Sequence, residues 1–275
     1  MSNDSRPLFH RGRLKATRSL SAGTFDPATC PIYGCVDESL TKRLEDLSLP
    51  STFARRILIY GARTSVLYTL CARLFPEAMI VTADWCDAAL APDAPQRAVF
   101  WEEDAPFSVG SFDIIVSCLT FQACERPQKA LASLFQMLRE GGFLLTQFMG
   151  GASLSQLRDV LIQADLEVSG GARARTIPMM DMQTTLALFT QSGFTGCICD
   201  EERMTLSFKS PKSLQNFLRA RGAQNPLSNA APPNRAFYGA AIKRLTDLTL
   251  HLDMVTCLGW RVCASYPSLP DAPAS

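Results

Sequence analysis

The stretch ILIYGARTSVL, residues 57–67, joins an apolar run to a single glycine and then to an amphipathic segment. This is the order of a nucleotide-binding strand, turn and helix, in which the backbone of the turn comes close to a ligand. Dinucleotide-binding turns carry G-x-G-x-x-G, whereas this turn has only Gly61, and the side chain of Arg63 would crowd a pyrophosphate. The stretch therefore predicts the ligand edge of an α/β sheet and argues against a dinucleotide.

Further apolar runs follow along the chain: MIVTAD up to residue 84, AVFW at 98–101, FDIIVSCLT at 112–120 and FLLTQFM at 143–149. Helical spacing of leucines at 66–74 and 131–138 separates some of them, and the glycine pair at 141–142 is expected to stop the second helix. Apolar strands alternating with helices are typical of a parallel sheet covered on both faces. The sequence predicts a doubly wound α/β core over residues 55–149.

The second half of the chain has a less regular pattern. Helices are predicted at 153–168, at 181–192, from 211 onwards and at about 235–250. The segment CICDEERMTLSF at 197–208 is either a strand pair or one long strand, and MVTCLGWRVCA at 254–264 is a terminal strand. Residues 265–275 are expected to form a frayed tail.

Composition narrows the function classes. With 27 basic and 26 acidic residues and a net charge of +1, the chain has no electrostatic footprint for nucleic acid or for a membrane surface. No stretch approaches the ~20 apolar residues that a membrane span needs. The ten cysteines include one C-x-C pair and one C-x4-C pair, and the two histidines are far apart, so neither zinc nor a disulfide framework is expected.

Candidate ligand residues follow three strand ends. Asp84 closes the second strand, 23 residues beyond Gly61, where a carboxylate can accept hydrogen bonds from both ribose hydroxyls of an adenosine cofactor. The alternative for Asp84 is a helix N-cap or loop carboxylate. The loop WEEDAPF, residues 101–107, follows the third strand, where adenine-binding acids tend to lie, and Trp101 could stack on the base.

A resemblance covers nearly the whole chain. The order ILIYGARTSVL, IVTADWCDAAL, then EEDAPFSVGSFDIIVSCLTFQACERPQKALASLFQMLREGGFLL resembles a class I S-adenosylmethionine-dependent methyltransferase. Downstream, FMGGASLSQLRDVLIQAD and RMTLSFKSPKSLQNFLRARGAQNPL resemble the subfamily of the alphaproteobacterial and mitochondrial complex I assembly factor methyltransferases, near the malonyl-carrier-protein methyltransferase of biotin synthesis. The resemblance implies a Rossmann-like, mostly parallel seven-stranded sheet with helices over its open end.

The resemblance also implies a division of the chain. An N-terminal helical segment would occupy residues 1–54, a methyltransferase-like cofactor-binding core 55–149, and helices and strands that cover the substrate or partner 150–264. The segment SRPLFHRGRLKATRSLSAG is rich in arginine and serine like a mitochondrial presequence, or else it is a basic helix of the fold. Its likeness to the subfamily's opening favours the helix and a bacterial cytoplasmic protein.

The implied cofactor is S-adenosylmethionine. The residues expected to contact it are Gly61, Ala62, Arg63, Thr64, Asp84, Trp85, Glu102, Glu103, Ser117 and Cys118. The turn departs from the family pattern, since Ile59, Arg63 and Ser65 replace the usual acid and two glycines, and a side chain where φ must be positive would strain the backbone. Arg63 could instead pair with the methionine carboxylate.

The expected function is methyl transfer to an unidentified small-molecule, carrier-protein or protein acceptor, with no catalytic residue identifiable. The alternatives are a non-catalytic role or a hydroxylase-type assembly factor, with a respiratory complex I subunit as partner. Four arginines are candidates for contacting an acidic partner, or else form a solvated basic face: Arg173, Arg175, Arg219 and Arg221.

Overall fold

The computed structural model describes residues 7–24, 26, 30–90, 95–221, 225–230 and 232–262. In this part of the chain, seven strands form one sheet in the order β3-β2-β1-β4-β5-β7-β6. They are β1 Arg56–Tyr60, β2 Met79–Asp84, β3 Arg97–Val99, β4 Phe112–Cys118, β5 Leu138–Gly150, β6 Thr195–Ser207 and β7 Thr249–Trp260. The tail predicted at 265–275 lies outside the described residues.

Strands β1 to β5 pair in parallel, and β7 runs antiparallel to both β5 and β6. The central strands are buried on both faces, since every residue of β4 and all but the first of β1 are buried. Burial on both faces explains why these strands read as continuous apolar runs. The predicted doubly wound, mostly parallel seven-stranded sheet is confirmed.

Eight α-helices lie in the described chain: α1 Arg11–Thr24, α2 Pro31–Asp46, α3 Val66–Leu74, α4 Pro127–Met137, α5 Ser155–Ser169, α6 Met182–Gln191, α7 Pro211–Ala220 and α8 Arg235–Arg244. Their starts follow local chemistry. Asp181 accepts a hydrogen bond from Thr184 N at 2.6 Å and caps α6. Ser210 and Ser213 form a capping box at the start of α7. Pro211 is the first residue of this helix, where the missing N–H costs no hydrogen bond.

The two faces of the sheet carry separate cores. On one face, side chains of β1 such as Leu58 pack with α4 and α6, and on the other, Ile57 packs with α2 and α3. The core residue Ile59, which stands where the family usually has an acid, belongs to the second face and is buried. The sheet is thus a rigid platform between two helical layers, and its carboxyl edge stays available for function.

Three predicted boundaries are wrong. Helix α8 ends at Arg244 instead of near residue 250, and β7 begins at Thr249, which pairs with Ser207, instead of at residue 254. In β7, Leu250 is buried between the half-buried Thr249 and His251, the period-two pattern of a strand. The glycines at 141–142 lie inside β5 instead of stopping α4, which ends at Met137.

The remaining features of the fold concern single segments. Residues 195–207 form one long strand, which resolves the alternative left open by the sequence. None of the helices among the described residues combines the length and apolar character that crossing a bilayer requires. The nine cysteines in the described chain are free thiols.

Candidate functional site

The carboxyl ends of β1, β2 and β4 meet at one edge of the sheet. Strand β1 lies between β2 and β4, so the strand order reverses there, which is where open α/β sheets bind ligands. Gly61 follows β1 with a φ of 77°, and its N–H donates to the carbonyl of Ala83 at 2.7 Å. A side chain at this position would clash with Thr120 and with the carbonyl oxygen of Cys118. Close packing of β1 against β4 therefore requires glycine here, with or without a ligand.

The rest of the turn faces helices of the N-terminal segment. Arg63 donates to Ser21 Oγ of α1 at 3.0 Å, and Thr64 donates to Asp37 Oδ2 of α2 at 2.7 Å, while Ala62 is half-buried against the core. In the described chain, the only non-glycine residues with positive φ are Ser48, Leu119 and Leu154. Neither Arg63 nor Ser65 has a positive φ, so the expected backbone strain at these two positions is absent.

Asp84 lies at the end of β2 and is 1% exposed. Its Oδ2 accepts a hydrogen bond from Arg18 Nη2 of α1 at 2.5 Å, and its Oδ1 accepts one from Cys86 N at 3.0 Å. The same Arg18 nitrogen donates to the carbonyl of Gly61 at 3.2 Å. Burial is the largest influence and acts to lower the pKa of Arg18, but the Asp84 carboxylate together with Tyr33 and Tyr60 outweighs it, and the pKa is raised. One buried cation therefore joins the turn after β1 to the acid after β2.

Two tryptophans stand beside this ion pair. The rings of Trp85 and Trp101 are parallel to within 2°, with centroids 5.2 Å apart. The guanidinium of Arg18 lies 4.9 Å from the Trp85 ring centroid, and that of Arg11 lies 4.8 Å from the Trp101 centroid. Such cation–π contacts add to the attraction between the basic helix and the edge of the sheet.

Glu102 and Glu103 are buried in the short helical turn after β3. Glu102 accepts a hydrogen bond from Thr120 Oγ1 at 2.5 Å, and burial raises its pKa to about 8. Glu103 accepts from the backbone nitrogens of Glu125 and Arg126 at 2.7 and 3.1 Å, and it pairs with Arg11 at 3.1 Å. Both predicted adenine-loop acids thus have protein partners.

The end of β4 is also occupied by internal contacts. Ser117 Oγ lies 3.0 Å from Thr120 Oγ1, and Cys118 is buried, which raises the pKa of its thiol. Leu119, the next residue, has a φ of 51° and its N–H donates to Gln147 O at 2.8 Å. A leucine in the left-handed region is costly and occurs where the surroundings fix it. Here it turns the chain so that Leu119 enters the wall of a cavity.

This cavity has a volume of about 250 Å³ and lies over the carboxyl ends of β4 and β5. Its wall combines apolar side chains from α1, β5, α5 and α7 with a few polar ones. The apolar set includes Leu14, Leu119, Met149, Leu154, Leu157, Leu161, Ile177, Met179 and Leu218, and the polar set includes Thr17, Arg18, Gln122, Arg175, Arg221 and Asn225. Arg18 and Trp85 belong to this wall as well as to the ion pair, so the two regions adjoin.

Comparison with known proteins gives the family. The methyltransferase domain family matches residues 62–146. A malonyl-[acyl-carrier protein] O-methyltransferase of Laribacter hongkongensis is 27% identical over 232 residues, 78% of this chain and 74% of that protein. The YcgJ protein of Bacillus subtilis shares the fold, with a TM-score of 0.55 at 12% identity over 82% of this chain and 99% of that one. Residues 62–146 thus match a methyltransferase domain, and the seven-stranded sheet has the class I methyltransferase fold.

A relative named for a different activity is also similar to this chain. The mitochondrial arginine-hydroxylase NDUFAF5 of Danio rerio is 26% identical over 134 residues, 48% of this chain and 42% of that protein. The cofactor of the superfamily is S-adenosylmethionine. Among the described residues, no three His, Cys, Asp or Glu side chains are grouped so that they could hold a metal ion.

The described arrangement of the methyltransferase edge does not fit adenosine. Asp84 is 1% exposed and Arg18 covers its Oδ2, so a ribose diol cannot reach the carboxylate while Arg18 stays in place. An adenine sandwiched between two rings lies about 3.5 Å from each, so the two rings must be about 7 Å apart. The centroids of Trp85 and Trp101 are only 5.2 Å apart, so adenine does not fit between them. The ten residues predicted to contact cofactor are brought to one edge, yet the most polar of them bind protein groups.

Sequence reasoning missed Arg11, Arg18 and Leu119. The two arginines are seven residues apart, two helical turns, so a helix places them on one side. That spacing was readable, but nothing in the sequence indicates that this side faces Asp84 and the two tryptophans. Leu119 carried no signal, because its left-handed backbone is imposed by tertiary contacts.

Proposed function

We propose that this chain transfers a methyl group from S-adenosylmethionine to a carboxylate oxygen of an acyl chain presented by an acidic carrier protein, with S-adenosylhomocysteine as the leaving group. The observation that carries the proposal is the cavity of about 250 Å³ at the carboxyl edge of the sheet. About half of the residues in its wall are leucine, isoleucine or methionine, so burial of an apolar chain would be favourable by about 25 cal/mol per Å². The similarity to the malonyl-[acyl-carrier protein] O-methyltransferase of Laribacter hongkongensis supports a carrier-bound acceptor.

Polar atoms in the wall support an acceptor with a carbonyl or carboxyl group. Arg18 Nε, Trp85 Nε1 and Gln122 Oε1 are buried and have no hydrogen-bond partner within the described chain. The first two are donors, and a buried donor without a partner costs about 1–3 kcal/mol. A carbonyl or carboxylate oxygen beside the apolar part of the acceptor would supply such a partner.

The four predicted partner-binding arginines separate into two pairs. Arg175 and Arg221 line the cavity, and Arg175 is fixed there by a two-point contact with Asp165, at 2.6 and 2.8 Å. Arg173 and Arg219 are exposed. The exposed pair is the part of the basic set available to an acidic carrier protein, whose charges would add mainly to the rate of association.

The chain's own contribution would be positioning. When bound, S-adenosylmethionine supplies an electrophilic methyl group, and holding the reactants in line accounts for much of the acceleration in such transfers. The apolar wall would exclude water from the acceptor, and the buried donors would orient its oxygen. Neither role requires a general base, in keeping with the sequence, which identifies none.

The test is methylation of defined acceptors by the full-length chain. With methyl-labelled S-adenosylmethionine, we expect label on malonyl carrier protein and on carrier proteins with longer acyl chains that end in a free carboxylate. Arg173→Glu combined with Arg219→Glu should raise KM for the carrier-bound acceptor and leave KM for the free acyl pantetheine unchanged. Ala123→Trp, which fills the cavity wall, should block both acceptors.

Two results would contradict the proposal. The first is no label on any acyl thioester, with either the wild-type chain or variants that weaken the contacts between α1 and the carboxyl edge of the sheet. The second is methylation that Ala123→Trp leaves unchanged, because the acceptor would then bind elsewhere.

One observation favours a second function. The adenosine positions are filled by side chains of this chain, which suits an assembly protein that acts without cofactor. A respiratory complex I subunit as partner belongs to this alternative, whereas the arginine-hydroxylase of Danio rerio supports a hydroxylase-type assembly factor. The alternative without cofactor predicts binding of that subunit with no S-adenosylmethionine present, measured with purified components, and no binding would exclude it.

A further inference from the structure

Helix α1 presents two arginines to the edge of the sheet. Arg11 and Arg18 lie two turns apart, over the rings of Trp101 and Trp85 respectively. Arg18 pairs with the buried Asp84, and Arg11 pairs with Glu103. The helix therefore contacts both the ribose acid and the adenine loop that the family uses for adenosine.

One group on α1, the guanidinium of Arg18, takes the place that a ribose hydroxyl of the cofactor would occupy. Arg18 donates to Asp84 Oδ2, as a ribose hydroxyl would, and also to the carbonyl of Gly61 in the turn. Because Arg18 buries that carboxylate and the Trp85–Trp101 stack is closed, docking of α1 and binding of adenosine exclude each other.

The attachment of α1 is mainly polar. Among its described side chains, at 11–22, only Leu14, Thr17 and Ser21 are buried, and Leu14 is the one large apolar member. Elements with little apolar burial open at a small fraction of the global unfolding free energy. The helix can thus leave the edge without unfolding the sheet.

The segment before α1 is held more firmly than the helix. Phe9 is 3% exposed and bridges to Leu227, and the backbone nitrogens of Leu8 and Phe9 donate to the carboxylate of Glu125 at 2.7 and 2.8 Å. These contacts are independent of Asp84. The last two turns of α1, which carry Arg18, can therefore release while the start stays anchored.

We propose that α1 is an autoinhibitory element that competes with S-adenosylmethionine for the adenosine site. Docked, it holds Asp84 through Arg18 and keeps the Trp85–Trp101 stack closed. Cofactor binds only to chains whose α1 has released. The proposal rests on the proposed function, since the competing ligand is the methyl donor of that reaction.

The experiment measures binding of S-adenosylhomocysteine, which needs no acceptor, by calorimetry. Arg18→Met keeps the packing of the stem and removes the guanidinium. If the released form is below a tenth of the wild-type population, this variant should bind at least about tenfold more tightly. Arg13→Met is the matched control, because Arg13 lies on the same helix but donates to the carbonyls of Asn225 and Leu227. It should bind like the wild type.

A second measurement needs no variant. In the wild-type chain, hydrogen exchange of the α1 amides should become faster when S-adenosylhomocysteine is saturating. Slower exchange would overturn the proposal, because α1 would then be part of the bound site. Equal or weaker binding by Arg18→Met, or no binding by either chain, would overturn it as well.

The outcomes separate this proposal from the proposed function. If Arg18→Met binds S-adenosylhomocysteine more tightly and no acyl thioester is methylated, the competition stands and the methyl transfer fails. If the wild-type chain methylates carrier protein while α1 stays protected, the methyl transfer stands and the competition fails.

Discussion

The two halves of the sheet's carboxyl edge differ in what fills them. Over β1, β2 and β3, the edge is closed by a buried ion pair, two stacked indoles and hydrogen bonds to α1 and α2. Over β4 and β5, an apolar cavity of about 250 Å³ remains. In this chain, one half of the edge is closed by the chain's own residues and the other half is open.

The difference shows that the two halves can change separately. Replacing the turn glycines by Arg63 and Ser65 left no strained backbone, because the turn now binds the N-terminal helices. The halves share Arg18 and Trp85, but the cavity wall formed by α5, α7 and the left-handed Leu119 belongs to the open half alone. Variants in each half should therefore have effects of different kinds and sizes.

The largest effect is expected in the closed half. Arg18→Met leaves Asp84 as a buried carboxylate without its cation, and breaking a buried pair costs about 3–5 kcal/mol. Urea unfolding followed by circular dichroism measures this loss. Arg11→Ala is the comparison within the same helix, and its more exposed pairs should contribute less than about 1 kcal/mol. Equal losses would show that the closed half does not depend on the buried pair.

A smaller loss is expected in the open half. Leu157 is buried but lines the cavity, so it lacks packing partners on one side, and Leu157→Ala should cost about 2 kcal/mol. Leu131 of α4 is fully buried in the core between that helix and the sheet, and Leu131→Ala should cost up to about 5 kcal/mol of unfolding free energy by the same scale. Equal costs in urea unfolding would mean that the cavity is filled or collapses when the side chain is removed.

The effect that is smallest for each measured step, at most about 1.4 kcal/mol per pH unit, belongs to the closed half. Burial raises the pKa of Glu102 from 4.5 to about 8, so the folded chain keeps its proton while the unfolded chain loses it. Between these two values stability should fall as pH rises, by up to about 1.4 kcal/mol per pH unit, and the contribution is constant outside that window. Glu102→Gln should remove this slope from urea unfolding measured across the window. An unchanged slope would show that Glu102 is ionised in the folded chain.

The fold was predictable because its signals are local and repeated. The apolar runs of β1, β2, β4 and β5 and the helices between them follow from burial on both faces of a parallel sheet. The errors occur where a local signal was ambiguous. The glycines at 141–142 resemble a helix stop but lie within β5, where a side chain at Gly142 would approach the carbonyl of Asp113 to 2.6 Å.

The site was predictable only in its position. The topology brings Gly61, Asp84, Glu102 and Ser117 to one edge, as strand order in an open α/β sheet requires. Their partners could not be read from the sequence, since Arg18 and Asp84 are 66 residues apart. The predicted cofactor contacts thus remain predictions, and in the described arrangement their polar groups bind α1, α2 or Thr120.

The sequence by itself determined the layered α/β architecture and the edge at which its chemistry lies, because strand periodicity, turns and caps depend on neighbours along the chain. Only the tertiary structure decided how that edge is filled. A helix whose arginines match Asp84, Trp85 and Trp101 in charge and shape is attracted there by desolvated electrostatic and ring contacts. Such contacts join residues distant in sequence, and no local pattern encodes their pairing.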